Sequence, residues 1–287
     1  MLRNSFLAIL MFLSLVACVS AIPAVAMAEG LEIVVCAPGY PGSTAEAQPA
    51  MDGLAAAVSE AAGLDGGAVQ AVYFETEEGG LERLRSSGTR LALLTLPFFL
   101  EHRDELDLKP VLMAVPDGRE PLEPWSLVAG KGLVKGPSDL DGWDLLSLAG
   151  HSSRFVKGPA LADWGDLPES LTITFSGAVL SGLRRAASGQ TVALLLDGAQ
   201  ADSIARLPFA DQLETIHRSQ LLPVSVVCSV GDRAAPDRIG RVLTALEELD
   251  SRPGAAEALA GIRMSRFVAV DGASLERAER SFSGAGE

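Results

Sequence analysis

Aromatic residues are scarce in this 287-residue chain, at 5%, and it holds only three histidines, three cysteines and two tyrosines. With His102 and His217 at no metal-ligand spacing and the cysteines far from them, a zinc site is not expected, and neither is any other metal. Positive charge is also in short supply. Lys and Arg number 23 against 37 Asp and Glu, for a net charge of −14. That balance argues against nucleic acid or an anionic membrane surface as a partner. No P-loop is present, because Gly150 to Gly158 has neither the spacing nor the Lys-Ser/Thr ending. No G-x-S-x-G elbow occurs, and His151 and Ser152, being adjacent, are poorly placed to act as base and nucleophile. No enzyme activity and no cofactor are therefore expected. After Ala28, no apolar run is long and uncharged enough to span a bilayer.

What is present begins with a targeting segment. Arg3 precedes a short apolar run from Phe6 to Val19, Pro23 breaks it, and Ala26-Met27-Ala28 stands before Glu29 as a small-x-small cleavage site. Residues 1–28 read as a secretory signal peptide, and the mature chain is expected to start at Glu29 in the periplasm or another extracytoplasmic space. Leu15-Val16-Ala17-Cys18 also fits a lipobox, so the alternative is a lipoprotein anchored at Cys18. Cleavage after Ala28 leaves Cys36 and Cys228, either paired or as two buried thiols in strands. Roughly 260 residues remain, enough for one large domain or two lobes of ordinary size.

From Leu31 onward, short apolar runs alternate with helical periods. Leu31–Ala37, Val69–Phe74, Arg90–Leu96 and Val111–Val115 read as strands, with a helix opening near Pro49, another capped by Thr76, and a third through His102. Trp125–Ala129 reads as a further strand. The rhythm then restarts with strands at Leu145–Ala149, Leu171–Phe175, Thr191–Leu196 and Leu213–His217. Val224–Val230 is a long apolar strand, and Pro236 opens a helix with Ile239, Val242, Leu243, Leu246 and Leu249 on one stripe. Strand–helix alternation is the pattern of mostly parallel sheets covered by helices. The fold class expected is α/β with two lobes. Their limits are 31–122 plus 225–287 and 131–220, with hinges near 123–130 and 221–224. Val224–Val230 is expected to return to the first lobe's sheet.

The stretch Asp144–Ala162 carries the clearest candidate site. An apolar run ends at Gly150, and His151, Ser152, Ser153 and Arg154 follow before Phe155 and Val156. This reads as strand, tight turn and helix start, with Ser152 or Ser153 as N-cap. Free N–H groups, two hydroxyls and one guanidinium suit a small anion; a capped helix with an exposed Arg154 fits the same residues.

The order of these segments resembles the type 2 periplasmic solute-binding proteins of ABC importers, in the phosphate/phosphite/phosphonate-binding branch. The likeness runs from Leu31 to about Asp271. It rests on LALLTLPFFLEHR, on PWSLVAGKGLVKGPSDLDGWDLLSLAGHSS with its Asp139-Leu140-Asp141-Gly142 turn, on the strand ending at Asp197-Gly198, and on LLPVSVVCSVGD. The resemblance implies a two-lobed clamp that closes on a small anionic ligand and serves a membrane ABC permease, as a monomer. It implies ligand contacts from Ser152 and Ser153, an acidic contact from Asp197, and backbone N–H groups from the Pro97 loop. Tyr40 and Phe98 would close from the first lobe. Two departures stand out. Leu100 occupies a position where the branch commonly has an aromatic, and Arg154 stands where it has a small residue. Arg154 either adds charge to the grip or fills the cleft. The alternative function is a ligand sensor or partner-binding module on the same scaffold.

Overall fold

A computed structural model describes residues 30–86, 88–232 and 236–286. Residues 1–28, read from the sequence as a signal peptide, lie outside the described residues, and so do Cys18 and the cleavage site expected before Glu29. β1 (Leu31–Cys36) is buried along its whole length and alternates its side chains between two cores. Its one charge, Glu32, is 6% exposed and is held by Arg83 and by the Thr89 hydroxyl at 2.9 Å. α1 (Thr44–Ala61) follows. The sequence places its first turn at Pro49; the helix in fact starts earlier, at a capping box. The Ser43 hydroxyl accepts from the Glu46 N–H at 3.3 Å, and the Ser43 N–H donates to the Glu46 carboxylate at 2.9 Å. These two bonds satisfy orphan donors of the first turn, and Pro49 forgoes one intrahelical bond further in.

β2 (Val69–Phe74), α2 (Glu77–Arg85), β3 (Thr89–Thr95), α3 (Leu96–His102) and β4 (Leu108–Pro116) continue the alternation. Thr76 caps α2 through its hydroxyl. The chain then crosses by β5 (Leu122–Glu123) into β6 (Ser126–Gly130). The second series comprises β7 (Asp144–Ser147), α4 (Ser153–Phe155), β8 (Thr172–Phe175), α5 (Val179–Ala187), β9 (Val192–Leu196), α6 (Gly198–Ser203) and β10 (Leu213–Arg218). It returns through β11 (Leu222–Pro223) to β12 (Ser225–Val230), α7 (Pro236–Glu247), α8 (Ala255–Gly261), β13 (Met264–Ala269) and α9 (Gly272–Gly284).

The result is a two-lobed α/β protein. One sheet has the order β13-β4-β12-β3-β1-β2 and the other β10-β6-β9-β7-β8. β1 is parallel to β2 and β3, and β7 is parallel to β8 and β9. In the first sheet β12 runs against both β3 and β4, and β4 in turn against β13; in the second, β6 runs against both β9 and β10. β6 and β12 are the strands that enter each sheet just after a crossing. The crossing segments themselves lie side by side, β5 pairing with β11 in an antiparallel ladder, Leu222 against Glu123 and Pro223 against Leu122.

Three apolar clusters hold these layers. Ile33 and Val35 of β1 pack with Leu54, Val58, Val242 and Leu246 under α1 and α7. Val128, Leu194 and Leu196 pack with Leu183 and Ala186 under α5. The third cluster runs between the sheets, from Val34, Cys36, Phe98 and Phe99 through Trp125 to Leu145, Phe155 and Leu195, and includes Leu275 and Phe282 of α9. α9, which falls within the expected limits 225–287, thus packs into the cluster between the sheets. Arg103 beside α3 ion-pairs with its Glu279, while Gly158 lies so close to Ser281 that an added Cβ would sit 2.5 Å from that carbonyl oxygen. The apolar stripe of Leu275, Ala278 and Phe282 is what draws the helix across.

Cys36 and Cys228 are both buried and free, on strands separated by β3. Burial pushes both thiols far above their ordinary range. In the chain starting at Glu29, a thiol reagent should label neither cysteine in the native protein and both in guanidinium; rapid native labelling, or a disulfide in the purified protein, would contradict this arrangement.

Candidate ligand cleft

The loops at the C-terminal ends of β1, β3, β7 and β9 meet between the sheets, where ligands of open α/β folds bind. The loop after β1 is pressed hard against the second sheet. Gly39 has φ +77°, and a Cβ there would lie 2.7 Å from Leu148 Cδ2 and 2.8 Å from Phe175 Cζ. Both the left-handed backbone and the space demand glycine. The next residue, Tyr40, donates its hydroxyl to Asp197 Oδ2 at 2.7 Å. Asp197, 2% exposed, caps α6 with its other oxygen, which accepts from the Gln200 N–H at 2.8 Å. Gln200 returns the bond to the Asp197 N–H at 3.2 Å. Burial and the adjacent Asp197 carboxylate push the Tyr40 phenol well above its ordinary range.

A second contact crosses the cleft at Ser152. The Ser147 hydroxyl donates to the Leu195 carbonyl at 2.7 Å and accepts from the Ala149 N–H at 3.1 Å, which anchors the turn after β7. At Gly150 a Cβ would fall 2.4 Å from the Thr174 carbonyl oxygen, so only glycine fits beside β8. Ser152, 1% exposed, is then the N-cap: its Oγ accepts from the Phe155 N–H at 3.2 Å and donates to Glu101 Oε2 of α3 at 2.5 Å. The helix expected from Ser153 onward is cut short. α4 is three residues long and passes into a wider π-type turn over Val156–Ala160. Pro159 within that turn has no N–H to give, and Gly158 is held against Ser281.

His151 lies beside this contact. Its Nδ1 bonds to the Leu148 carbonyl at 3.0 Å, its ring meets Phe175 edge-on at 5.9 Å, and its Nε2 is buried without a hydrogen-bond partner. Burial holds the imidazole below its ordinary range; the nearby charges of Glu77 and Glu101 act in the opposite sense. Glu77 is itself bonded to His102 Nε2 at 2.7 Å.

The structure thus brings Tyr40 onto Asp197 and Ser152 onto Glu101, two bonds between the lobes. Ser153 adjoins Ser152, half-buried, and no hydrogen bond engages its hydroxyl among the described residues. Three expected residues are placed elsewhere. Phe98 is 0% exposed, packs 4.7 Å from the His102 ring and faces Gly80 beside Cys36, so it belongs to the core rather than to the cleft wall. A large aromatic gains more from full burial than from lining a polar cleft. Pro97 is buried at the start of α3 with it. Arg154 turns away to α9, its guanidinium 4.2 Å from the centre of the Phe282 ring and 3.5 Å from the Phe282 carbonyl.

Two carboxylates here are missed by sequence reasoning. Glu101 falls within one turn of an apolar helix, and the available signal is that it is the one charged residue in Leu96–Glu101, directly after a strand end already implicated. Glu123 falls in the expected hinge. It is 6% exposed, accepts from Arg119 at 3.2 Å and from the Gly198 N–H, and Arg119 also reaches Asp202 at 2.5 Å. Burial first, and then the charge of Asp197, raise its carboxyl to about 7, against the opposing pull of Gly198 N–H and Arg119. Among the described residues, no group of three or more His, Cys, Asp or Glu is arranged to hold a metal ion. The geometry is that of hydroxyls and carboxylates from both lobes bonded to one another across the inter-sheet face.

Solved structures share this fold. XAC2383 from Xanthomonas citri, solved with a chloride ion bound, is 17% identical with a TM-score of 0.69, covering 89% of this chain and 97% of its own. PhnD1 from Prochlorococcus marinus, solved with methylphosphonate, is 13% identical with a TM-score of 0.64 over 89% of this chain and 98% of its own. A binding protein component of an ABC phosphonate transporter from Pseudomonas aeruginosa is 15% identical with a TM-score of 0.61, over 86% and 83% respectively. No curated protein matches the chain. The family model described as the periplasmic substrate-binding protein of phosphonate ABC transporters matches residues 41–275, and the chain belongs to that family.

Proposed function

We propose that this protein captures a small phosphonate- or phosphate-like anion between its two sheets and presents it, as a monomer, to an ABC permease in the membrane. The observation that carries this reading is a pair of hydrogen bonds made between the two lobes by side chains near strand C-terminal ends, Tyr40 to Asp197 and Ser152 to Glu101. A site assembled from both lobes couples ligand capture to their closure. We take the lobes to be 31–122 plus 225–271 and 131–220, with the paired segments β5 and β11 as hinge and α9 as a strap over both. Secretion after cleavage at Ala28, with Glu29 as the first residue, fits an extracytoplasmic receptor; mass spectrometry of the exported protein tests it, and an acylated Cys18 would overturn it.

The ligand class is tested by thermal shift and calorimetry with methylphosphonate, phosphate, phosphite and sulfate. A ligand that binds only the folded state raises Tm as its concentration passes Kd. The free hydroxyl of Ser153 is the group available to such an anion. Ser153→Ala should weaken binding by about 1.5–3 kcal/mol, roughly tenfold to over a hundredfold, for the loss of a hydrogen bond to a charged partner. Its stability should hardly change, since the hydroxyl bonds nothing among the described residues. Equal affinity in wild type and Ser153→Ala would remove this serine from the site.

A further inference from the structure

We propose that Glu101 is the residue that decides what the cleft accepts: its carboxylate takes the place of a ligand's anionic group on the Ser152 hydroxyl and clasps the two lobes together. This rests on the anion-capture reading above. The argument is one of valence. A serine hydroxyl has a single proton to donate. Ser152 gives it to Glu101 Oε2 at 2.5 Å, and the same oxygen already accepts the Phe155 N–H. An incoming anion cannot share that proton, so it binds at Ser152 only after Glu101 has withdrawn.

Neither partner is free to drift. Ser152 is 1% exposed, and Phe98, Phe99 and Leu100, at 0–2%, fix the helix that carries Glu101. The charge of Glu101 is also left without a cation. Among the described residues no Lys or Arg pairs with it: Arg103 is taken by Glu279, His102 by Glu77, and Arg154 lies on Phe282. An anion entering here meets an uncompensated carboxylate of its own sign in place of a donor. Glu101 therefore opposes anion binding twice, by occupying the hydroxyl and by repulsion.

The test uses the full mature chain and three variants, Glu101→Ala, Glu101→Gln and Ser152→Ala. Small-angle scattering without added anion reads lobe closure, and calorimetry with methylphosphonate reads affinity. Glu101→Ala should bind methylphosphonate at least tenfold more tightly than wild type and scatter as a more open particle. Glu101→Gln, which keeps an acceptor but not the charge, should fall between the two, and it keeps the test alive if the alanine variant folds poorly. Ser152→Ala should open likewise yet gain no affinity. Unchanged scattering with unchanged or weaker affinity in both Glu101 variants overturns the proposal. Opening on Glu101→Ala with no methylphosphonate binding by any variant supports the clasp and removes phosphonate capture instead. Tighter binding without opening supports the competition and overturns the clasp, leaving closure to Tyr40 and Asp197.

Discussion

Replacing Phe155 by alanine should lower the stability by about 3–5 kcal/mol, the usual cost of emptying a fully buried aromatic site. For a chain of this length, that corresponds to a fall in Tm of roughly 6–20 °C, at about 2–4 °C per kcal/mol. Phe155 is 0% exposed and meets Trp125 edge-on at 5.0 Å, and both lie in the apolar cluster that runs between the sheets. Its neighbourhood has little room to collapse. Gly150 is wedged against Thr174, Gly158 against Ser281, and the Ser152 cap is bonded on both sides. A cavity that cannot relax carries both the lost transfer free energy and the lost packing. Scanning calorimetry decides the point. A fall of less than about 2 °C would mean that the α4 turn repacks freely and that the inter-sheet core is not the rigid frame of the cleft.

The second large effect is a pH dependence assigned to one group. The Glu123 carboxyl is raised from 4.5 to about 7 in the folded protein. Because the folded value lies above the unfolded one, the native state binds the proton more tightly. Its contribution to stability is full below about pH 4.5, is lost as the pH rises towards 7, and stays lost above that. The difference is worth about 3 kcal/mol, since each tenfold gain in proton affinity contributes about 1.4 kcal/mol. Glu123→Gln carries no such proton equilibrium. The stability difference between wild type and Glu123→Gln, from urea unfolding at a series of pH values, should therefore change by about 3 kcal/mol between roughly pH 4.5 and 7.5, with wild type losing ground as the pH rises. A difference that stays flat across this range would show that Arg119 and the Gly198 N–H hold the carboxylate ionised. Glu123 sits in the ladder between the lobes and feels Asp197, which Tyr40 bonds from across the cleft. Ionising it adds charge to a buried acidic pair at the point where the lobes turn.

The alternation of apolar runs and helical periods is enough to define the elements, since burying one stripe of a helix and both faces of a strand leaves a periodic trace in the chain. The turn at Gly150, the N-cap at Ser152, the cap at Thr76 and the strand at Val224–Val230 are legible for the same local reason, and so is the resemblance to the binding-protein family. Ser43 and Glu46 also carry the start of α1, although Pro49 is the more conspicuous signal. Side-chain direction across the cleft cannot be read this way, because it depends on which residues far apart in sequence compete for the same space. Phe98 goes to the core and Arg154 to Phe282, each drawn by an aromatic or apolar partner that no local pattern reveals. Chain order places α9 beside its sequence neighbours, whereas its apolar stripe joins the cluster that runs between the two sheets. Glu101 on Ser152 and Glu123 beside Asp197 arise only where segments of the two lobes close together, one pair of partners standing 51 positions apart in the chain. Strands, helices and caps follow from contacts within a few residues, so the order of amino acids suffices to specify them. Which carboxylates face the cleft emerges only in the folded chain, because a buried charge is placed by the partners that remain once the apolar surfaces have packed.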